Sequence, residues 1–278
     1  MFWRKKEKWA KEDDYEVTFD TQAPLERESF PGVTTGKHPV ETGLAFSLMM
    51  PFGESKTPPV DALPPVVGPN GTPEEARLYE NLAGLLENAW GITQHDELVR
   101  TIEALLDPPM DEDYLYRLFR PFLQKFVNMA PGEREAAAQP IIDETMDNLQ
   151  INPEFVVMAR SQLQQWLDLY LQPGSTKVLP QRLPRTLVGW DTARAARITR
   201  IGYAIGLLSE EEATTYSHRA LAVTRENSTS WREHTDSFLL GRAKWQEKLD
   251  NETLEHRDMM WYRLNHPESP WAKHPLHG

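Results

Sequence analysis

The stretch from Gly189-Trp190-Asp191-Thr192-Ala193-Arg194 to Ser209-Glu210-Glu211-Glu212-Ala213 constrains the fold most. It reads as an amphipathic helix, a glycine stop and the start of a second helix. Ala195, Ile198, Gly202 and Ile205 recur at helical spacing and form an apolar stripe; Trp190, Arg194, Arg197 and Ile201 run beside it. Gly202 leaves room for a close helix approach, and Gly206 supplies the left-handed stop. Ser209 then caps the next helix, whose first three residues are glutamates placed on the positive end of its dipole.

The same grammar runs through most of the chain. Thr72-Pro73-Glu74-Glu75 spells a capping box with proline at the first helical position, followed by Leu78, Leu82, Leu85 and Leu86. Gly91 ends that helix, and Thr93 is placed to cap another carrying Leu98, Ile102, Leu105 and Leu106. A third opens at Asp111 and meets Pro121, which predicts a kink. A fourth starts near Glu133 and holds Pro140, and a fifth starts near Pro153 with Phe155, Val156, Met158, Ala159, Leu163, Trp166, Leu167 and Tyr170. Residues 175–188 form a long connection, and further helices are predicted at 190–206, 210–225, 230–249 and 252–263. Strand and helix never alternate, so the expected fold is all-α: one bundle of about seven to nine helices. Residues 1–70 are expected as an extended, mostly irregular arm, with seven prolines between Pro51 and Pro73. The helical domain is read over 71–263 and an irregular tail over 264–278.

Charge and composition narrow the partners. The chain of 278 residues has net charge −12 and no cysteine. Disulfides, thiolate catalysis and cysteine-held metals are excluded, and a reducing cytosol is the simplest compartment. So acidic a surface disfavours nucleic acid and favours a basic protein partner. No window reaches the ~20 apolar residues of a membrane span. Met1–Lys11 mixes Phe2, Trp3 and Trp9 with five basic residues, the composition of an interfacial anchor or of a frayed terminus. Glu12-Asp13-Asp14 stand where the apolar core of a signal peptide would lie, so no cleavable signal is expected.

Three blocks carry a resemblance. The first is Ala89-Trp90-Gly91-Ile92-Thr93 with Leu98, Leu105 and Leu106 following. The second is Gly189-Trp190-Asp191-x-x-Arg194, Arg200-x-Gly202-Tyr203-x-x-Gly206-x-Leu208-Ser209-x-Glu211-Glu212-Ala213. The third is Ser230-Trp231-x-x-His234, then Phe238-Leu239-Leu240-Gly241-Arg242-x-x-Trp245. Over about residues 84–248 the chain resembles the bacterial domain-of-unknown-function family 1266. The resemblance implies a largely helical bacterial domain and assigns no activity.

The charged residues of these blocks admit two readings. Asp191, Arg194, Arg200 and Arg242 could form a polar pocket for a small anion such as a nucleotide or phosphorylated metabolite, since arginine forks suit phosphate and carboxylate. Alternatively they are an ion network fixing helix register around the tryptophans. Ser230 and His234 lie one turn apart, but no nucleophile-elbow motif surrounds them and Ser230 suits a helix cap. The chain has no His-Glu-x-x-His, no Glu-x-x-His and no phosphate-loop motif; Glu252 and His256, at i and i+4, come nearest to a metal pair. No metal or cofactor is therefore expected. Met49, Met50, Met259, Met260 and Trp261 could form an adaptable docking patch or pack onto the body. The leading expectation is a non-catalytic interaction protein, such as a chaperone-like accessory or a toxin-neutralising immunity protein. The alternative is an enzyme or sensor using the Asp/Arg pocket.

Overall fold

The computed structural model describes residues 38–52, 59–107, 111–149 and 151–278. The basic-aromatic segment Met1–Lys11 and most of the N-terminal arm lie outside the described residues. Among the described residues every regular element is a helix, with no strand. In chain order the helices are α1 (Val40–Ser47), α2 (Pro73–Trp90), α3 (His95–Leu106), α4 (Asp111–Val127), α5 (Pro131–Leu149), α6 (Val156–Leu171), α7 (Ser175–Val178), α8 (Val188–Ala204), α9 (Glu210–Asn227), α10 (Trp231–Gln246), α11 (Asn251–Asn265) and α12 (Pro270–Lys273). A 3₁₀ turn, Met50–Phe52, follows α1. The total exceeds the seven to nine expected because single turns such as α7 and α12 carry no periodicity to read.

Local chemistry sets the helix ends. Both capping boxes form: Thr72 with Glu75 at α2, and Ser209 with Glu212 at α9. Ser230 accepts from the Glu233 amide at α10. Gly206 adopts φ 77°, the left-handed conformation that stops α8. Thr93 does not cap α3; Gln94 occupies that position without a side-chain cap bond, and Thr93 donates instead to Glu97. Pro121 and Pro140 each lie inside a continuous helix.

Packing forms two main cores. The first joins α1, α2, α3, α8 and α9 through Leu44, Leu82, Leu98, Ile198, Leu221 and their neighbours. The second joins α4, α5 and α6 to α10 through Phe119, Ile141, Leu163, Trp166 and Leu240. A third, small cluster of Trp190, Ala193, Phe238, Leu239 and Met260 lies where α8 crosses α10, with Phe52 packed on it. The crossing is close. A Cβ on Gly189 would stand 2.6 Å from the His234 carbonyl oxygen, and one on Gly241 would stand 2.7 Å from Trp190 Cβ. Gly202 performs the same service toward α3, where a Cβ would overlap Leu98.

Both ends of the described chain pack against the body. Leu44, Ala45, Phe46, Leu48, Met49 and Met50 are buried, so these methionines face inward, as does Met260. Arg200 reaches from α8 to donate to the carbonyls of Pro59 and Ala62, and Val67 donates to the Ala204 carbonyl at 2.7 Å. The segment read as an irregular tail carries α12, started by Ser269 and Pro270. Trp271 stacks on Trp231 with centroids 4.7 Å apart and 8° between planes, and its indole N–H donates to Ser47 Oγ at 2.9 Å. Leu276 is buried. An apolar anchor at each end converts a proline-containing stretch into part of the core. Residues 175–188 run as a clamped connection: Tyr116 and Tyr170 donate to the carbonyls of Pro184 and Pro180, and Arg120 donates to that of Leu183. Among the described residues no helix is long and apolar enough to cross a membrane.

Candidate functional site

On α8, positions 191, 194 and 197 repeat every three residues and form a partly exposed line beside the buried faces of the helix. Asp191 and Arg194 pair directly. The Arg194 guanidinium lies 4.8 Å from the Trp190 ring and 5.5 Å from that of Trp90. Arg197, one turn on, sits 4.5 Å from the Phe52 ring. Burial lowers the Arg197 pKa, and the charge of Glu252 opposes that shift. Trp245 lies 6.0 Å from Trp190 and is 64% exposed, so this motif tryptophan forms a rim and not a core contact.

Helix α11 brings the opposite wall. Arg242, buried on α10, donates to Asp250 at 3.1 Å and to Thr253, and pairs with Glu252 at 2.7 Å. Burial raises the Asp250 carboxyl, but its bonds from Thr253 and Arg242 prevail and hold its pKa at about 2. His256 donates through Nδ1 to the Pro51 carbonyl at 2.7 Å, since a carbonyl can only accept. Its Nε2 then faces Glu252, 3.7 Å away. Burial lowers the His256 pKa, the Pro51 bond opposes this, and the charge of Arg242 lowers it further.

The four charged residues singled out from sequence therefore do not share one pocket. Asp191 and Arg194 pair on the partly exposed line. Arg200 lies six residues beyond Arg194, on another face, fully buried against the arm carbonyls. Burial lowers its pKa to about 9, opposed by the charge of Asp61. Arg242 belongs to the α10–α11 network. Two neighbours that sequence did not rank, Arg197 and Phe52, complete the region. Arg197 was visible only as a continuation of the Trp190–Arg194 stripe, and Phe52 carried no sequence signal.

Two buried donors in this region, Trp190 Nε1 and Arg194 Nε, have no acceptor among the described residues. An unmet buried donor costs about 1–3 kcal/mol. Ser230 and His234 form no nucleophile–base pair. Ser230 caps α10, while His234 sits fully buried with its ring edge-on to Trp231 and Trp271 and neither nitrogen hydrogen-bonded. Burial lowers its pKa to about 3. Among the described residues, no group of three or more His, Asp or Glu side chains gathers where a metal ion would be held.

Exposed apolar side chains gather elsewhere. Phe155, Val157 and Met158, at the start of α6, are 51%, 79% and 45% exposed. The sequence puts Phe155 and Met158 in this helix and assigns them no face. The buried face of α6 begins at Ala159 and continues through Leu163, Trp166, Leu167 and Tyr170. The surroundings of the three exposed side chains are acidic: Glu154 is exposed beside them, and Asp143 and Asp147 are exposed on the adjoining α5. Arg160 of α6 pairs with Asp143 at 2.9 Å, which fixes the two helices side by side. A smaller cleft of about 250 Å³ lies between α1 and α12, lined by His38, Asp61, Glu268, Lys273 and His274.

The architecture is that of an all-helical protein whose buried arginines Arg200 and Arg242 brace its own segments, with exposed apolar side chains at the start of α6. The chain belongs to the family described as "Protein of unknown function (DUF1266)", whose model matches residues 85–276. The match runs beyond the 84–248 expected from the motifs and takes in the buried tail. No curated protein and no solved structure matches the chain.

Proposed function

We propose that this protein is a non-catalytic interaction module whose partner is a basic protein and whose docking surface is the corner formed by Phe155, Val157 and Met158. One observation carries this reading: three large apolar side chains within four residues, Phe155, Val157 and Met158, are exposed at the start of α6, and Glu154 beside them and Asp143 and Asp147 of the adjoining α5 are exposed too. Contiguous exposed apolar groups with a polar rim mark interaction sites more often than scattered ones do. A rim of carboxylates on a chain of net charge −12 selects a partner with apolar residues set among Lys and Arg. A cytoplasmic bacterial accessory, chaperone-like or toxin-neutralising immunity role has this form. The alternative, an enzyme or sensor gripping a phosphorylated metabolite with Asp191, Arg194, Arg200 and Arg242, has less support, because Arg200 and Arg242 are occupied by internal partners.

The test is site-specific photo-crosslinking from position 157 in the native host. The expected result is a discrete adduct with a basic protein, lost when Phe155→Asp is added. The purified pair should bind less tightly as salt rises. Absence of an adduct, or a purified complex unaffected by Phe155→Asp with Val157→Asp, would refute the reading. An adduct between two copies of this chain would instead make the corner a dimer contact.

A further inference from the structure

We propose that the arginine band formed where residues 181–185 cross α4 is a docking surface for an acidic segment of a partner protein. The two longest stretches of the sequence without Asp or Glu are residues 114–132 and 169–190. The first spans most of α4, and the second holds the connection that leads into α8. The fold lays one on the other. Tyr116 donates to the Pro184 carbonyl at 2.7 Å, and Arg120 donates to that of Leu183 at 3.1 Å. Gln124 donates to the Gln181 carbonyl at 2.8 Å and accepts from the Leu183 amide at 2.8 Å. Two acid-free segments, far apart in sequence, thus form one surface on a chain of net charge −12. The band shares no residue with the corner at the start of α6.

The positive groups of this surface are outermost, and the carboxylates paired with them lie beneath. Arg117, Arg182, Arg185 and Arg232 are exposed, and Arg120 is half-buried. Arg185 pairs with Glu233 at 3.3 Å, and Arg232 with Asp236 at 3.5 Å. In these pairs the arginine side chains are 45% and 46% exposed, the carboxylates only 16% and 11%. Glu233 is occupied further, because it accepts from the Arg185 and Thr229 amides and from the Thr229 hydroxyl. Burial raises its pKa, but those bonds prevail and lower it. The Arg185 side chain bonds through Nε alone, which leaves its two terminal nitrogens unbonded among the described residues. Arg182 has no hydrogen-bond or ion-pair partner among the described residues.

Spread and charge select the occupant. The guanidinium groups come from α4, the connection and the start of α10, an arrangement that suits several carboxylates carried in succession along one chain. Arginine forks match carboxylate geometry. A nucleic acid gains affinity by having many phosphates neutralised, and a band of five arginines offers few such contacts. The field of a chain at −12 also opposes so dense a polyanion. A short run of Asp or Glu brings a number of charges comparable to the arginines present.

The experiment follows the fluorescence anisotropy of a labelled peptide of about six consecutive glutamates, mixed with the full chain at low ionic strength. Saturable binding is expected with a Kd of roughly 0.1–1 mM, since exposed ion pairs are individually weak. Arg182→Glu should weaken it about tenfold. Lys248→Glu makes the same change in net charge at an exposed position just beyond α10, roughly 20 Å along the helix from Arg232. It should alter Kd by less than about twofold. Arg182→Gln, which adds no negative charge, should weaken binding about threefold, and it decides alone if circular dichroism shows Arg182→Glu unfolded. The absence of saturable binding, or equal losses at positions 182 and 248, would overturn the proposal. Tighter binding of an oligothymidylate of equal charge would also overturn it and make the band a nucleic-acid surface. An Arg182-dependent dimer in analytical ultracentrifugation without peptide would do the same in favour of a contact between copies of this chain.

Discussion

Replacing His234 by leucine should remove a defined part of the protein's acid sensitivity. His234 is fully buried, its two ring nitrogens have no hydrogen-bond partner among the described residues, and burial depresses its pKa from 6.5 to about 3. A neutral imidazole is therefore the folded form, and the unfolded chain takes up the proton first as pH falls. The sign follows from linkage: the contribution is fully present above about pH 6.5 and is lost as pH falls from there toward 3. Each pH unit within that window is worth about 1.4 kcal/mol, so the loss at pH 5 is about 2 kcal/mol. In a domain whose total stability is about 5–15 kcal/mol this is a large fraction. It corresponds to a melting shift of about 3 °C for a chain of this size. Leucine has nearly the same volume and removes the orphaned nitrogens, so stability at pH 7 should change by less than about 1 kcal/mol. Other groups also titrate: Glu212, held at about 2 by bonds from the Ser209 backbone and from His95, and His95, raised by Asp96 and Glu212. These are common to both proteins, so the difference between the two stability curves isolates His234. The assay is urea unfolding by tryptophan fluorescence at pH 7, 6 and 5. Parallel curves, differing by less than about 0.5 kcal/mol in their change between pH 7 and 5, would refute the assignment of His234 as a buried neutral group.

Two further outcomes test the scaffold. Gly189→Ala places a Cβ 2.6 Å from the His234 carbonyl oxygen, a backbone atom that cannot turn aside; it should cost about 1–3 kcal/mol in urea unfolding. Arg200→Met leaves the Pro59 and Ala62 carbonyls without their donor; it should cost about 3 kcal/mol and make residues 59–67 a preferred site of limited proteolysis.

Those residues also show where sequence reading succeeds and where it stops. Helix starts were legible because their chemistry is local: Ser209 and Glu212 need only a spacing of three, and the capping box follows. Helix stops were legible for the same reason at Gly206, where a left-handed φ favours glycine. Arg200 was not, because its partners lie 138 and 141 residues away on a segment without periodicity. Its charge drew it into a supposed anion pocket, whereas its place on the helix turned it toward the arm. Trp245 closes the same motif as the buried Trp231, yet its position near the C-terminal end of α10 leaves it exposed. Phe155 and Met158 share the helical spacing of buried residues, but they precede the point where α6 first meets its neighbours. Trp271 was missed because a single turn framed by prolines gives no repeat; its anchor is a stacking partner forty residues earlier, Trp231.

The bond between Ser47 and Trp271 spans 224 residues, and Arg225 ties Glu41 to the carbonyl of Leu276 in the same place. A ribosome must therefore deliver the chain through Leu276 before α1 acquires these contacts. Until then Trp231 lacks its stacking partner and Ser47 its indole donor. Contacts between such distant parts of a chain slow its folding. They also leave the nascent protein in need of protection that the finished one does not require.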